Sequence, residues 1–408
     1  MIGKKYYKPI VSICKECGKE FQLSPEEQSY FDSKRFVLPK RCKECRELRK
    51  TARKVLESEE KARLEEKNKE IQQKQAEADE KELGKILESI PFPQIQFNSL
   101  TIDNPLHTLV VLGNGFDIMH GVKSSYWDFQ KTLGKNNSLR FNLETYLNTN
   151  DLWSNLEESL GKLQYTMFLN RDNIDMWLDD FDAYDPDAQA ADYFAAVETA
   201  ISPAFEIPHV LNRRISKWVK TLSVESESKP FSMLHGDYRV LCFNYTEFIE
   251  VLYGAKANNI CYIHGCRRSR KPGKPDKLIL GHRPDVEAGE WNKVEMKSFK
   301  FKDPYKKYIM DTAFETAARE TAWYDDATTK NCSDIINQNM WFFNGLSDVE
   351  KVFVFGHSLS EVDYSYFKEI SRKCNAEWYI GFHSLGDIKR LLSFVDNLEL
   401  RKVTVFRT

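Results

Sequence analysis

The chain has 408 residues, 29% charged and 41% hydrophobic, with a formal net charge of -2. That length allows two or three units around one sizeable core. The near-zero charge excludes a protein that coats nucleic acid or an acidic membrane through its overall field. The lack of any run of about eighteen apolar residues excludes a bilayer span.

The N-terminus reads MIGKKYYKPIVSICKECGKEF, without the apolar stretch and small-residue cleavage site of a signal peptide. A cytoplasmic location without membrane attachment is therefore expected. Cys14, Cys17, Cys42 and Cys45 form two CxxC pairs about two dozen residues apart. Four thiolates at that spacing suit one tetrahedral zinc, with each CxxC a tight knuckle that places two sulfurs on the ion. A redox dithiol fits poorly, because two equal pairs flank a small aromatic core of Phe21, Tyr30, Phe31 and Phe36. The stretch CKECGKEFQLSPEEQSYFDSKRFVLPKRCKECRELRK resembles a zinc-ribbon family, which implies a metal-stapled module over residues 1–50 with structural zinc. Its basic end, PKRCKECRELRK, could touch phosphates of host or phage nucleic acid, or the module could dock onto the rest of a homo-oligomer. The other five cysteines (Cys242, Cys261, Cys266, Cys332, Cys374) are scattered and expected to be free and buried.

Residues 51–90 hold no proline and one glycine and are rich in Glu, Lys, Gln and Ala, good helix formers. Apolar residues are sparse in the middle, so no sustained heptads form and a solvated helical linker over 51–92 is expected, reaching ~60 Å. Pro91 and Pro93 stop it.

From residue 93 the chain turns globular. Compact apolar runs at 108–115, 238–245, 259–265, 351–358 and 376–382 read as strands buried on both faces of a parallel sheet. A large helical insertion over about 120–235 separates the first two. This pattern predicts a doubly wound α/β fold with a mostly parallel sheet, in which ligands sit beyond the carboxyl ends of the strands. Four of the runs end in GNGFD, NYTE, HG and GHS, which places the candidate site residues on one edge.

Gly113 and Gly115 allow a positive φ and close backbone approach, as a phosphate-binding turn with Asn114 and Asp117 requires. The third glycine of a full dinucleotide fingerprint is replaced by Ile118, so the turn alone fits an ordinary strand end better. Ser124 or Ser125 is placed to cap the next helix. Asn244 at a strand end can hold a ribose hydroxyl or a water, or satisfy loop backbone. His264, at the end of CYIHG, can act as a general base near neutral pH or be structural. Gly356, His357 and Ser358 close a further strand, with Asp363 beyond. A serine hydrolase is excluded, because G-x-S-x-G would need glycine at 360, which is Ser360. No nuclease signature for catalytic magnesium stands out; Asp179, Asp180 and Asp182 are acidic enough to bind a cation but read as a solvated helix end.

Together VVLGNGFDIMHGVKSSYWDF, LWSNLEESL and FGHSLSEVDYSYF resemble the AbiH family of bacterial abortive-infection proteins. VLCFNYTEFIEVLYGAKANNICYIHG resembles sirtuin-like domains of bacterial defence systems. The second resemblance implies a sirtuin-like Rossmann fold and, in some relatives, cleavage of NAD. By that resemblance Asn244 and His264 match the catalytic asparagine and histidine, Gly113, Asn114 and Gly115 the phosphate turn, and Gly356, His357 and Ser358 a ribose- or adenine-side loop. Thr246 departs from the usual aspartate, and GNGFD from the sirtuin glycine turn. Trp153 and Glu157 share one helical face, where Glu157 could orient a ribose or base, or simply be solvated. The expected function is an antiphage effector that hydrolyses NAD or a related nucleotide at the nicotinamide–ribose bond. The alternative is a non-catalytic nucleotide-sensing or nucleic-acid-binding defence module.

Overall fold

The computed structural model describes residues 7–34, 36–147, 149–164, 167, 171–183, 185, 187–224, 230–268, 277–284 and 303–408. They fall into two compact units, residues 1–88 and 89–408.

In the first unit, β1 (Ile10–Ile13) and β2 (Glu20–Leu23) pair antiparallel, with Ile10 opposite Leu23. Ser24 caps the helix Pro25–Ser33: its side chain accepts from the Glu27 N–H while the Glu27 carboxylate accepts from the Ser24 N–H. Two orphan donors of the first turn are satisfied this way. The charged helix runs from Lys43 to Ser89, 47 residues, or ~70 Å. It starts inside the cysteine module, earlier than its composition suggested, because the Cys42 carbonyl already accepts from the Arg46 N–H. It stops just ahead of Pro91, which cannot continue it.

The second unit is built on a seven-stranded sheet. Its strands are β3 (Gln94–Gln96), β4 (Thr108–Leu112), β5 (Arg239–Cys242), β6 (Ile260–Tyr262), β7 (Lys351–Phe355), β8 (Glu377–Phe382) and β9 (Val403–Arg407). The order is β3-β9-β8-β7-β4-β5-β6 and every pairing is parallel. The five apolar runs expected as strands are all present. β3 and β9 are additional, at one side of the sheet. All five residues of β4 are buried, which explains a continuous apolar run in place of alternation.

Chain order leaves β4 toward β5 and β6 on one side and returns through β7 on the other, so β4 marks a topological switch point, where open α/β sheets bind ligands. Leu112 pairs with Phe355 and with Cys242, and Cys242 with Tyr262. The segments that follow these four residues therefore emerge side by side.

The insertion between β4 and β5 is helical, including Tyr126–Thr132, Ser138–Tyr146, Leu156–Leu160 and Ala190–Val219. Phe129, Leu143, Leu156, Tyr193, Ile207 and Trp218 belong to one apolar core. The helix Pro304–Thr328, which follows β6 in the chain, joins that core through Ile309, Met310 and Phe314. The other five cysteines are buried and form no disulfide, as expected. No described helix is long and apolar enough to cross a membrane.

Candidate metal centre and candidate nucleotide site

The sulfurs of Cys14, Cys17, Cys42 and Cys45 all lie within 4.8 Å of one another, with Cys17 and Cys42 at 3.8 Å. Zinc–sulfur bonds of ~2.3 Å in a tetrahedron put sulfurs about 3.8 Å apart, so the residues fit one zinc ion. Backbone N–H groups, that of Cys17 first and then those of Cys42 and Glu16, bring the Cys14 thiol down to about 6, while the neighbouring Cys42 thiol and burial push Cys45 up. The first pair lies in a knuckle after β1, with Gly18 at φ 71. The second pair is not a second hairpin knuckle: it opens the long helix, Cys42 preceding it and Cys45 in its first turn.

In the second unit the glycines of GNGFD work differently from the expectation. Neither takes a positive φ, since Gly113 is extended and Gly115 is helical; the positive φ belongs to Gly356, at 62. Their lack of a side chain serves loop-on-loop contact. A Cβ on Gly113 would lie 2.5 Å from His357 Cα, and one on Gly115 2.6 Å from Gly356 Cα. The Gly113 N–H donates to Phe355 O at 3.0 Å and the Gly115 N–H to Gly356 O at 2.8 Å. These two amides are thus already used in joining the two loops. Asn114 is held by its side chain, which donates to Ser124 O at 2.9 Å, and Ser125 caps the helix that follows.

Asp117 is 2% exposed and accepts from Asn244 Nδ2 at 2.8 Å and Thr246 Oγ1 at 2.6 Å. Burial raises its carboxyl to about 6 against the pull of those two donors. The β4 and β5 loops are therefore clasped by a carboxylate, and Thr246 gains a role that its departure from aspartate hid. The clasp fixes Asn244 by its nitrogen. Its Oδ1 is buried and has no hydrogen-bond partner among the described residues.

A second cluster surrounds Lys330, whose ammonium has no exposed surface. It is paired with Glu157 and, at 3.1 Å, with Asp363, and lies 3.4 Å from His264 Nε2. Asp363 Oδ1 is 3.5 Å from His264 Nε2, and its Oδ2 is 3.4 Å from His357 Nε2. The Leu359 N–H donates to His357 Nδ1 at 2.9 Å, so the His357 proton is on Nε2 and faces the carboxylate. Burial alone would raise Asp363; the Lys330 charge and the His357 bond outweigh it and hold the carboxyl well below its usual range. Burial opposes the Lys330 charge, but Asp363 and Glu157 keep it protonated. Burial pushes Glu157 up, with Lys330 opposing. Burial and then the Lys330 charge bring His264 down to about 3, which leaves the imidazole neutral.

Both clusters border one cavity of about 540 Å³ along the carboxyl edge of the sheet, within the size range of small-molecule sites. Its wall holds Gly113, Asn114, Gly115, Asp117, Asn244, His264, Gly356, His357, Ser358 and Asp363. Every residue singled out from the sequence for nucleotide binding is thus brought together. Trp153 and Glu157 line it too. Lys330, in the polar string TTKNC, carries no sequence signal. Asp179, Asp180 and Asp182 are exposed, at and just past the end of the helix Arg171–Asp180.

The model of a family described as Bacteriophage abortive infection AbiH matches residues 109–382, two thirds of the chain. A second, described as Probable treble clef domain, matches residues 10–54, in agreement with a hairpin knuckle followed by a ligand-bearing helix. Comparison with curated proteins and with solved structures finds no match.

Proposed function

The chain belongs to the bacteriophage abortive infection AbiH family, and from that premise we propose an antiphage effector that binds NAD or a related nucleotide at the carboxyl edge of its sheet and hydrolyses the nicotinamide–ribose bond. The observation that carries this reading is Asn244 Oδ1, a buried acceptor without a partner among the described residues, on the wall of the cavity that His264 also lines. A buried acceptor left unpaired is costly. A ribose hydroxyl or an attacking water would satisfy it.

In this reading the bond from ribose C1′ to the ring nitrogen breaks and its electron pair leaves with neutral nicotinamide. The oxocarbenium-like centre is stabilised by position and charge more than by a strong nucleophile. Water adds to C1′ and gives its proton to His264, whose neutral ring is the form a base requires; such a role is worth roughly 10²–10⁴-fold in rate. Asn244, held by Asp117, orients that water or hydroxyl. With the Gly113 and Gly115 amides engaged, the pyrophosphate would be held by the Asn114 N–H and by other donors on the rim.

A second reading, a nucleotide switch without cleavage, is favoured by one observation. His264 is held down to about 3 by burial and Lys330, which weakens it as a base. Incubating the purified protein with NAD, NADP and ATP, with and without phage lysate, separates the two. Nicotinamide and ADP-ribose among the products, detected by mass, support cleavage. Bound but intact NAD supports the switch.

A further inference from the structure

Among the described residues, the cavity wall carries four acidic side chains (Asp117, Glu157, Asp363 and Asp387) and neither lysine nor arginine. Asp117 is clasped by Asn244 and Thr246, and Asp387 is paired with Arg390 at 2.6 Å. At the His264 end one ammonium, Lys330, serves two carboxylates, Glu157 and Asp363. His264 is neutral there and adds no positive charge. This end carries a net single negative charge once Glu157 is ionised.

The same end is aromatic. Tyr126 Oη donates to Glu157 Oε1 at 3.0 Å, and Trp153 and Tyr245 lie on the wall beside them. Carboxylates and aromatic faces together attract a flat cation. A phosphate placed at this end would meet like charge, with no lysine or arginine among the described wall residues to offset it. Asn244, whose Oδ1 has no partner among the described residues, borders the same space and offers an acceptor to a ligand donor.

We infer that the pocket end formed by Glu157, Tyr126, Trp153 and Tyr245 is a subsite for a flat cationic heterocycle, so that the site takes the oxidised pyridinium form of a nicotinamide nucleotide and rejects the neutral dihydropyridine. The inference rests on the proposed nucleotide reading for the remainder of the ligand, and on the wall chemistry for the charge preference. Glu157, paired with Lys330 and accepting from Tyr126 Oη, supplies the carboxylate that faces the cation.

The test uses the full chain and two small probes of the same shape, cationic 1-methylnicotinamide and neutral nicotinamide, followed by NAD⁺ and NADH, by titration calorimetry. The cationic member of each pair is expected to bind about tenfold more tightly or better. Glu157→Gln, which keeps a hydrogen-bonding group against Tyr126 and Lys330, is expected to erase most of the preference. Equal affinities within each pair would overturn the inference. If NAD⁺ is cleaved while the two small probes bind alike, the subsite fails and the cleavage reading stands. If the cation preference holds while NAD⁺ is neither bound nor cleaved, the nucleotide reading fails and the subsite stands.

Discussion

Lys330 Nζ stands 3.4 Å from His264 Nε2, with both side chains buried. An ammonium that close keeps the imidazole from taking up a proton, while Glu157 and Asp363 keep the ammonium itself charged. Replacing Lys330 by methionine leaves two carboxylates without their cation, a change that typically costs about 3–5 kcal/mol. Urea unfolding should report that loss. In the variant that remains folded, the His264 titration followed by NMR is expected to move up from about 3, since burial persists but the cation's repulsion is gone. An unmoved His264 titration would show that burial alone holds it down.

Stability should depend on pH through Asp117. Burial raises its carboxyl from 3.8 to about 6 in the folded protein, so the native state binds the proton more tightly than the unfolded chain. The contribution is fully present below about 4 and is lost as pH rises through about 6, on the order of 3 kcal/mol by the energy of a pKa shift. Thr246→Val removes a donor to the ionised form, which raises Asp117 further and extends the loss to higher pH. Urea midpoints across this range check both statements.

Gly115→Ala sets two effects against each other. Alanine is favoured over glycine inside a helix by about 1 kcal/mol, but its Cβ would lie 2.6 Å from Gly356 Cα, backbone against backbone. The contact is expected to win, with a net destabilisation of about 1–3 kcal/mol and weaker nucleotide binding. Gly345→Ala, where a Cβ meets nothing within 4 Å, is the control and should be neutral or mildly stabilising in the same thermal melts.

The cysteine module should hold one zinc per chain, measured by elemental mass spectrometry. Cys45→Ser or a strong chelator should abolish it and unfold residues 10–54, because so small a segment folds on its metal. Retention of full zinc by Cys45→Ser would contradict the four-sulfur site.

The sequence made the site's location legible because strands buried on both faces leave continuous apolar runs, and each of four such runs ends in a polar loop at the same sheet edge. It did not reveal β3, whose Gln94–Gln96 pattern is two exposed glutamines around one isoleucine. Nor did it reveal Lys330. A lysine beside Asn331 reads as solvated; it is buried because the segment at His282 pairs with Thr329 and because carboxylates from two distant segments converge on it. The glycine turn was placed correctly, but what the glycines accommodate is the Gly356 loop, a long-range contact with no local signature. Thr246 looked like a lost aspartate; the acid it works with is Asp117, from the neighbouring strand's loop.

The most direct measurement of the central claim follows cellular NAD during phage infection in cells that carry the unaltered protein, His264→Ala or Asn244→Ala, each checked for expression and folding. NAD should fall, with nicotinamide and ADP-ribose appearing, only with the unaltered protein, while both variants leave it intact. NAD loss and growth arrest unchanged in either variant would contradict the account.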